Sequence, residues 1–341
     1  MQNQRHVVVM ADTRKIQKTG GSTYIVSLPK KWVSDSNLKQ GDSVRVDVRP
    51  DGTLSLASTG ATEHQKLIKK MEIGDDADPK ALLRELIGCY VTGYDMIEIR
   101  SRRRMPSDVR KAIHEFTRRA IGPEIIEEGS DLVVIQDVAD HADLAMKKVM
   151  RRMHLMARSM LAEAFQSVKA SDASLAKDVI ERDDEIDRLY WYVEKQHSMT
   201  CRNPSFATKL KTDLIESNAT ISVSKALERI ADHASRIAHA TEVLESSRAP
   251  EALLQKLESL ANDATAMLDC AVDAFFRRDS VAANGCIEDY NNLRKKVGAF
   301  LEDAMRQKGK VAVGLSFIAE SIDRVGGYSS DIAEIAINLA Q

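Results

Sequence analysis

The chain has 341 residues, 43% hydrophobic, 29% charged and only 5% aromatic, with a formal net charge of −2. That length is too great for one ordinary core, so two or three domains are expected, and the charge and apolar content exclude a disordered chain. Low aromatic content, with Ala, Leu, Ile and Met carrying the apolar load, favours helix-on-helix packing over a β-rich core.

Residues 1–60 read as strands and tight turns. HVVVM, TYIVSL and SVRVDV are β-branched runs separated by Gly20–Gly21, Gln40–Asp42 and Pro50–Gly52, and PKKWVSDSNL supplies a short helix behind Pro29. This segment holds nine Lys and Arg against five Asp and Glu, a local excess compatible with nucleic acid. The VVVM run is too short for a signal-peptide core, and no apolar run reaches the roughly 18–20 residues of a membrane span, so a cytoplasmic protein is expected.

Residues 61–138 alternate between periods. DPKALLRELIGCYVTGY and PSDVRKAIHEFTRRAI are helical, whereas DMIEIR, PEIIEEG and DLVVIQDV are strands. The reading is a short α/β (α+β) element without a glycine-rich phosphate loop. Arg100, Arg102, Arg103 and Arg104, with Arg118 and Arg119 further on, read either as solvated surface or as an auxiliary anion patch.

From about residue 139 the period is helical. Met146, Met150, Met153, Met156 and Met160 fall on one face, a core stripe. Residues 153–194 and 260–302 share one pattern: an apolar helix, a polar break (Ala170–Ser174; Arg277–Ser280), then a second helix. Residues 225–244 are answered by 320–339. Two tandem three-helix units follow, 139–248 and 249–341, with the shorter loop before the third helix in the second copy. The fold class is mainly α, preceded by the small β module and the short α/β segment.

The first unit contains ERDDEID, residues 181–187. At roughly 100° per residue, Asp183 and Asp187 fall within or beside the stripe of Val179, Ile186, Tyr190 and Val193, while Glu181, Asp184 and Glu185 face away. A buried acid pair requires a partner. Glu228 and Asp232, again at i and i+4, lie on a helix whose Leu227, Ala231, Ala234 and Ala238 are buried and whose Ser217, Ser224 and Ser235 permit close approach. Two facing pairs make an oxygen-rich cage for a divalent cation. Salt bridging by Arg182, Arg188, Arg229 and Arg236 is the plainer alternative. His233 is placed on the surface, about 140° from Glu228; His239 lies near the Glu228 face, three turns on. The four cysteines, Cys89, Cys201, Cys270 and Cys286, read as buried thiols in a reducing compartment, with no His partner at ligand spacing.

DDEIDRLYWYVE (183–194), LERIADHASRI (227–237) and IDRVGGYSSDIAEIA (322–336) resemble the helical repeats of the PhoU phosphate-uptake regulatory family. The likeness implies paired three-helix bundles that can hold metal through acidic motifs. Carried over, it assigns Asp183, Asp187, Glu228 and Asp232 to a cation such as Fe, Zn, Mn or Mg. In the second repeat Tyr290 and Arg294 replace the first pair and Gly327 replaces Asp232, leaving Glu288 and Asp323. A second metal site is therefore not expected. TRKIQKTGGSTYIVSLPKKW and QGDSVRV, within residues 13–58, resemble the AbrB/SpoVT swapped-hairpin DNA-binding module, with an added turn KTGGST. That resemblance implies an interlocked homodimer with Arg14, Lys15, Lys18, Ser22, Thr23, Lys30 and Lys31 facing DNA.

Together these imply a non-enzymatic, dimeric regulator of phosphate homeostasis that binds DNA and senses phosphate status through its helical half. The alternative is an adaptor that docks on a phosphate transporter or sensor histidine kinase and uses the N-terminal module only to dimerise. No poised nucleophile or convergent histidines suggest an enzyme.

Overall fold

The computed structural model describes residues 13–48, 52–58, 66–245 and 249–341. The expected HVVVM strand and most of the Pro50–Gly52 turn lie outside the described residues. The chain divides into two compact units, residues 1–66 and 67–341.

In the first unit β1 (Gln17–Thr19) and β2 (Thr23–Ile25) pair antiparallel, with Lys18 opposite Tyr24. Gly20 at φ 62° makes the turn, so the inserted KTGGST is the tip of this hairpin. α1 (Lys30–Asp35) follows, then a second hairpin of β3 (Val44–Val48) and β4 (Leu54–Ser58). Ile16, Tyr24, Val48 and Leu54 are all more than 60% exposed within one chain. Two hairpins of this size cannot bury their own apolar faces, which is the physical case for a second copy completing the module.

The second unit begins with a four-stranded sheet in the order β5-β6-β8-β7: β5 (Ile68–Ile73), β6 (Met96–Ser101), β7 (Pro123–Glu128) and β8 (Leu132–Asp137). β5 runs parallel to β6 and the other pairs are antiparallel. α2 (Pro79–Val91), capped by the Asp78 carboxylate accepting from the Lys80 amide, and α3 (Ser107–Arg119) pack on it. Leu86, Ile113 and Phe116 close the core against Ile99, Val133 and Ile135. The strand β5, IKKMEI, was not expected, because its lysines and glutamate hide an edge strand that only pairing with β6 defines.

The helical repeats follow. The first holds α4 (Met146–Ala170), α5 (Ala173–Glu181), α6 (Asp183–Arg202), α7 (Pro204–Leu210) and α8 (Leu214–Glu245); the second holds α9 (Glu251–Arg277), α10 (Ser280–Met305) and α11 (Gly309–Leu339). The polar breaks use one device twice. Ser171 and Arg278 take left-handed φ of 54°, and the next residue, Asp172 or Asp279, caps the following helix with its carboxylate. The methionine stripe is core: Met146, Met150, Met153 and Met160 are buried. Repeat 1 carries the extra helix α7 where repeat 2 has a short turn, as the loop lengths implied. One expectation changes: the second helix of repeat 1 is interrupted at Arg182, so ERDDEID straddles a break and Asp183 opens α6.

A buried polar joint ties the sheet to the helices. Asp137 at the end of β8 accepts a 2.7 Å hydrogen bond from the His141 ring and pairs with Lys195 of α6. Lys195 is 1% exposed, donates to the Tyr94 carbonyl and stands over the Tyr90 ring. Burial opposes ionisation of Asp137, but the His141 hydrogen bond and the Lys195 charge hold its pKa below the usual carboxylate range.

The cysteine expectation fails at three of four positions. Cys270 of α9 and Cys286 of α10 are joined by a disulfide, and Cys201 is exposed with its sulfur 3.6 Å from His197 Nε2, one helical turn away. Helix packing brings together residues 16 apart, which spacing alone does not reveal. Alkylation followed by mass spectrometry is expected to label two thiols in the unfolded, unreduced chain and four after reduction; four before reduction would deny the bond.

Candidate functional site

The expected carboxylate cluster forms where α6 packs on α8. Val179, Ile186, Val193, Leu227, Ala231 and Ala234 are fully buried, and the small residues Ser217, Ser224 and Ser235 are buried with them. This close packing brings Asp183 and Asp187 within electrostatic reach of Glu228 and Asp232. Burial pushes Asp183 up to about 6, reinforced by the charges of Asp232 and Glu228; Ser235 offsets part of this, although no hydrogen bond closes between them. Burial likewise pushes Asp187 up to about 7, reinforced by Asp183, Glu228 and Asp232. Asp232 is also raised, by burial and then by Glu228. Asp183, Asp187 and Asp232, each raised in part by the Glu228 charge, occupy one electrostatic neighbourhood.

Cations partly compensate them. Lys225 donates to Glu228 at 2.8 Å, and Arg229 pairs with Asp232 at 3.3 Å and Glu228 at 3.6 Å. Of the four arginines expected as neutralisers, only Arg229 serves. Arg182 pairs with Glu163 and Arg188 with Glu185, while Arg236 makes no ion pair among the described residues. Instead Arg119, at the end of α3, reaches Asp184 at 2.7 Å and Asp187 at 3.6 Å and lies over the Trp191 ring. No sequence signal links Arg119 to residues some 65 positions away. The sheet-bearing segment thus contributes to the edge of this site.

One buried Glu228 oxygen has no hydrogen-bond partner. An all-oxygen donor set suits a hard or intermediate divalent cation, although this Glu228 oxygen already lies 3.6 Å from Arg229 Nε. As the side chains stand, no three His, Cys, Asp or Glu among the described residues close on one point at ligand distance. Cation binding would therefore require these four side chains to turn inward from Lys225, Arg229 and Arg119.

The matching place in repeat 2 is filled. The Tyr290 ring packs on Gly326 and Gly327, and a Cβ on Gly327 would meet the Tyr290 hydroxyl at 3.1 Å. A Cβ on Gly326 would come within 2.6 Å of Leu293 Cδ2 and 3.0 Å of Tyr290. Gly326→Ala is accordingly expected to cost about 1–3 kcal/mol by overpacking, read as a lower unfolding midpoint; an unchanged midpoint would show that Leu293 yields freely.

His233 corrects the expected surface position. It is 6% exposed, stacked against Tyr328 of α11, with its Nδ1 buried and unpartnered. Burial, then the charges of Arg236, Arg324 and Arg229, lower its pKa to about 4. A face that is outer within one three-helix unit is inner once α11 of the other unit packs on it. His239 is exposed and lines the same cleft.

In the N-terminal unit, Arg14, Lys15, Lys18, Ser22, Thr23, Lys30 and Lys31 are all exposed. Lys18, Ser22 and Thr23 belong to the β1–β2 hairpin, whereas Lys30 and Lys31 open α1. Elsewhere, Arg103 pairs with Asp75 at 3.5 Å on an exposed loop.

Two tandem helical repeats define a PhoU-type helical protein. The PhoU domain model matches residues 150–241 and 257–336, and the chain belongs to that family. A second model, that of the bacterial antitoxin MazE, matches residues 17–60 and supports the swapped-hairpin module. Among relatives, a phosphate-specific transport system accessory protein PhoU homolog from Zymomonas mobilis is 28% identical over 186 residues, covering 51% of this chain and 75% of the relative. The Escherichia coli phosphate-specific transport system accessory protein PhoU is 27% identical over 188 residues, covering 52% and 75%. The crystal structure of PhoU from Pseudomonas aeruginosa aligns with a TM-score of 0.48 at 21% identity, over 57% of this chain and 94% of that one. No helix among the described residues is long and apolar enough to cross a membrane.

Proposed function

We propose that the protein is a homodimeric, non-enzymatic regulator of phosphate uptake that binds DNA through residues 13–58 and responds to phosphate status through its PhoU repeats. The observation that carries this reading is the union, in one chain, of a MazE-like module with two PhoU repeats. Exposed Arg14, Lys15, Lys18, Lys30 and Lys31 supply phosphate contacts, and Ser22 and Thr23 add uncharged donors. The half-exposed apolar hairpins supply the reason to dimerise. In the helical half, Asp183, Asp187, Glu228 and Asp232 would hold a divalent cation of the Fe, Zn, Mn or Mg kind. Such a cation would supply the positive charge that this cluster lacks and tie α6 to α8.

The test is a salt titration of full-length protein on duplex DNA from its own promoter and from phosphate-transport promoters, against random duplex. Sequence-preferring binding is expected, with a log–log salt slope that becomes shallower by about 0.9 for each phosphate contact removed. Arg14→Ala, Lys15→Ala and Lys18→Ala together are expected to weaken binding roughly a hundredfold at physiological salt. Weak binding that ignores both sequence and these substitutions would replace this reading with the second one. That second reading is an adaptor docked on phosphate-transporter or sensor-kinase machinery and dimerised by its N-terminal module; the relatives, named as phosphate-specific transport system accessory proteins, favour its transport side.

A further inference from the structure

A cavity of about 620 Å³ opens between α8 of the first repeat and α11 of the second. Arg229 and Arg236 reach it from α8 and Arg324 from α11, with Ser235, Tyr328 and His233 beside them. The acids there are Asp183, Asp232 and Glu320. Arg229 is committed to Asp232 and Glu228. Arg236 and Arg324 form no ion pair among the described residues, yet both act electrically on His233. Two guanidiniums that cannot shed their protons are thus brought to one cleft by opposite repeats. Two cleft-lining residues carry buried polar atoms without hydrogen-bond partners, Ser235 Oγ and His233 Nδ1, each on a residue only 6% exposed. Buried polar atoms of that kind are rare in folded proteins.

We infer that this cleft binds a phosphoryl-class oxyanion between Arg236 and Arg324. A tetrahedral oxyanion offers acceptor oxygens in several directions, so forks from two helices can each take one. A single carboxylate matches only one fork. The cavity falls in the size range of small-molecule sites, so the anion is either free phosphate or the phosphoryl end of a nucleotide. Because the walls belong to different repeats, the anion would latch repeat 1 to repeat 2. The inference deepens the regulatory reading, on which its biological meaning rests, by naming the effector class.

The experiment is calorimetric titration of the full chain, in chelating buffer, with inorganic phosphate, with ATP and with acetate as control. Saturable binding of phosphate or ATP is expected, with acetate inert. Arg236→Ala and Arg324→Ala are each expected to weaken it at least about tenfold. Phosphate binding identifies the free anion, and binding by ATP alone identifies the nucleotide. No saturable binding of either up to about 10 mM overturns the inference, as does affinity unchanged in the arginine variants. Binding that needs Mn²⁺ and ignores both arginines also overturns it, since the anion would then sit at the carboxylates. Loss of DNA binding with phosphate binding intact would sink the DNA-regulator reading alone, and the reverse result would sink only this inference.

Discussion

Asp187→Asn is expected to be more stable than the parent at pH 8 in metal-free buffer, and equal to it near pH 4. Asp187 is raised from 3.8 to about 7 by burial and by Asp183, Glu228 and Asp232. A raised carboxyl pKa costs nothing below the unfolded value, because both states are then protonated. The penalty grows as pH climbs from about 4 and is complete above about 7, where the folded chain must ionise a group that its surroundings disfavour. A shift of that size corresponds at most to about 4 kcal/mol. The side chain is 30% exposed and the group is coupled to three others, so roughly 2 kcal/mol is the expected gain after screening. Urea unfolding at pH 4 and pH 8 measures it. Added Mn²⁺ is expected to stabilise the parent and not the variant, by about 2.7 kcal/mol at a hundredfold excess over Kd. A variant less stable than the parent at pH 8 would show that the Arg119 pairing outweighs the repulsion, and the cluster would then be a salt-bridge network and no cation site.

Asp137→Ala is expected to be the most destabilising single change of this kind, at about 3–5 kcal/mol, because it strands the Lys195 ammonium in the joint between sheet and helices. Lys195→Met added to it is expected to restore much of the loss, since an apolar pair of similar volume needs no solvation. The pH signature is opposite to that of Asp187. The folded pKa of Asp137 is depressed, so its contribution is present above the unfolded value near 3.8 and disappears as pH falls through the folded one. Denaturant unfolding of the two single variants and the double forms the cycle. Additive losses would mean that the two side chains do not act as a pair.

The carboxylate site was legible because a pair at i and i+4 leaves its angle in the sequence. Val179, Ile186 and Val193 fix one stripe and Leu227, Ala231 and Ala234 the other, and both are buried as their periodicity requires. The second acid pair on LERIAD, beside small Ser224 and Ser235, then supplied the candidate partner, and the PhoU resemblance assigned the same four acids. What escaped the sequence was supplied by other elements. Arg119 arrives from α3, and Tyr328 covers His233 from α11. The edge strand β5 escaped for the same reason, since Lys69, Lys70 and Glu72 announce a strand only beside β6. The Cys270–Cys286 bond is a consequence of how α9 meets α10.

By itself the sequence determined the helical periods, the doubled break-and-cap at Ser171–Asp172 and Arg278–Asp279, and the acids that face inward. These are local matters, settled by side-chain spacing of three to four residues and by single-residue backbone preferences. Tertiary structure alone decided which charges meet. It gave Arg119 to Asp187, closed Lys195 on Asp137, and set Arg236 and Arg324 around one cleft between the repeats. The reason is that Coulomb energy depends on distance through space and on burial, and neither quantity is written along the chain.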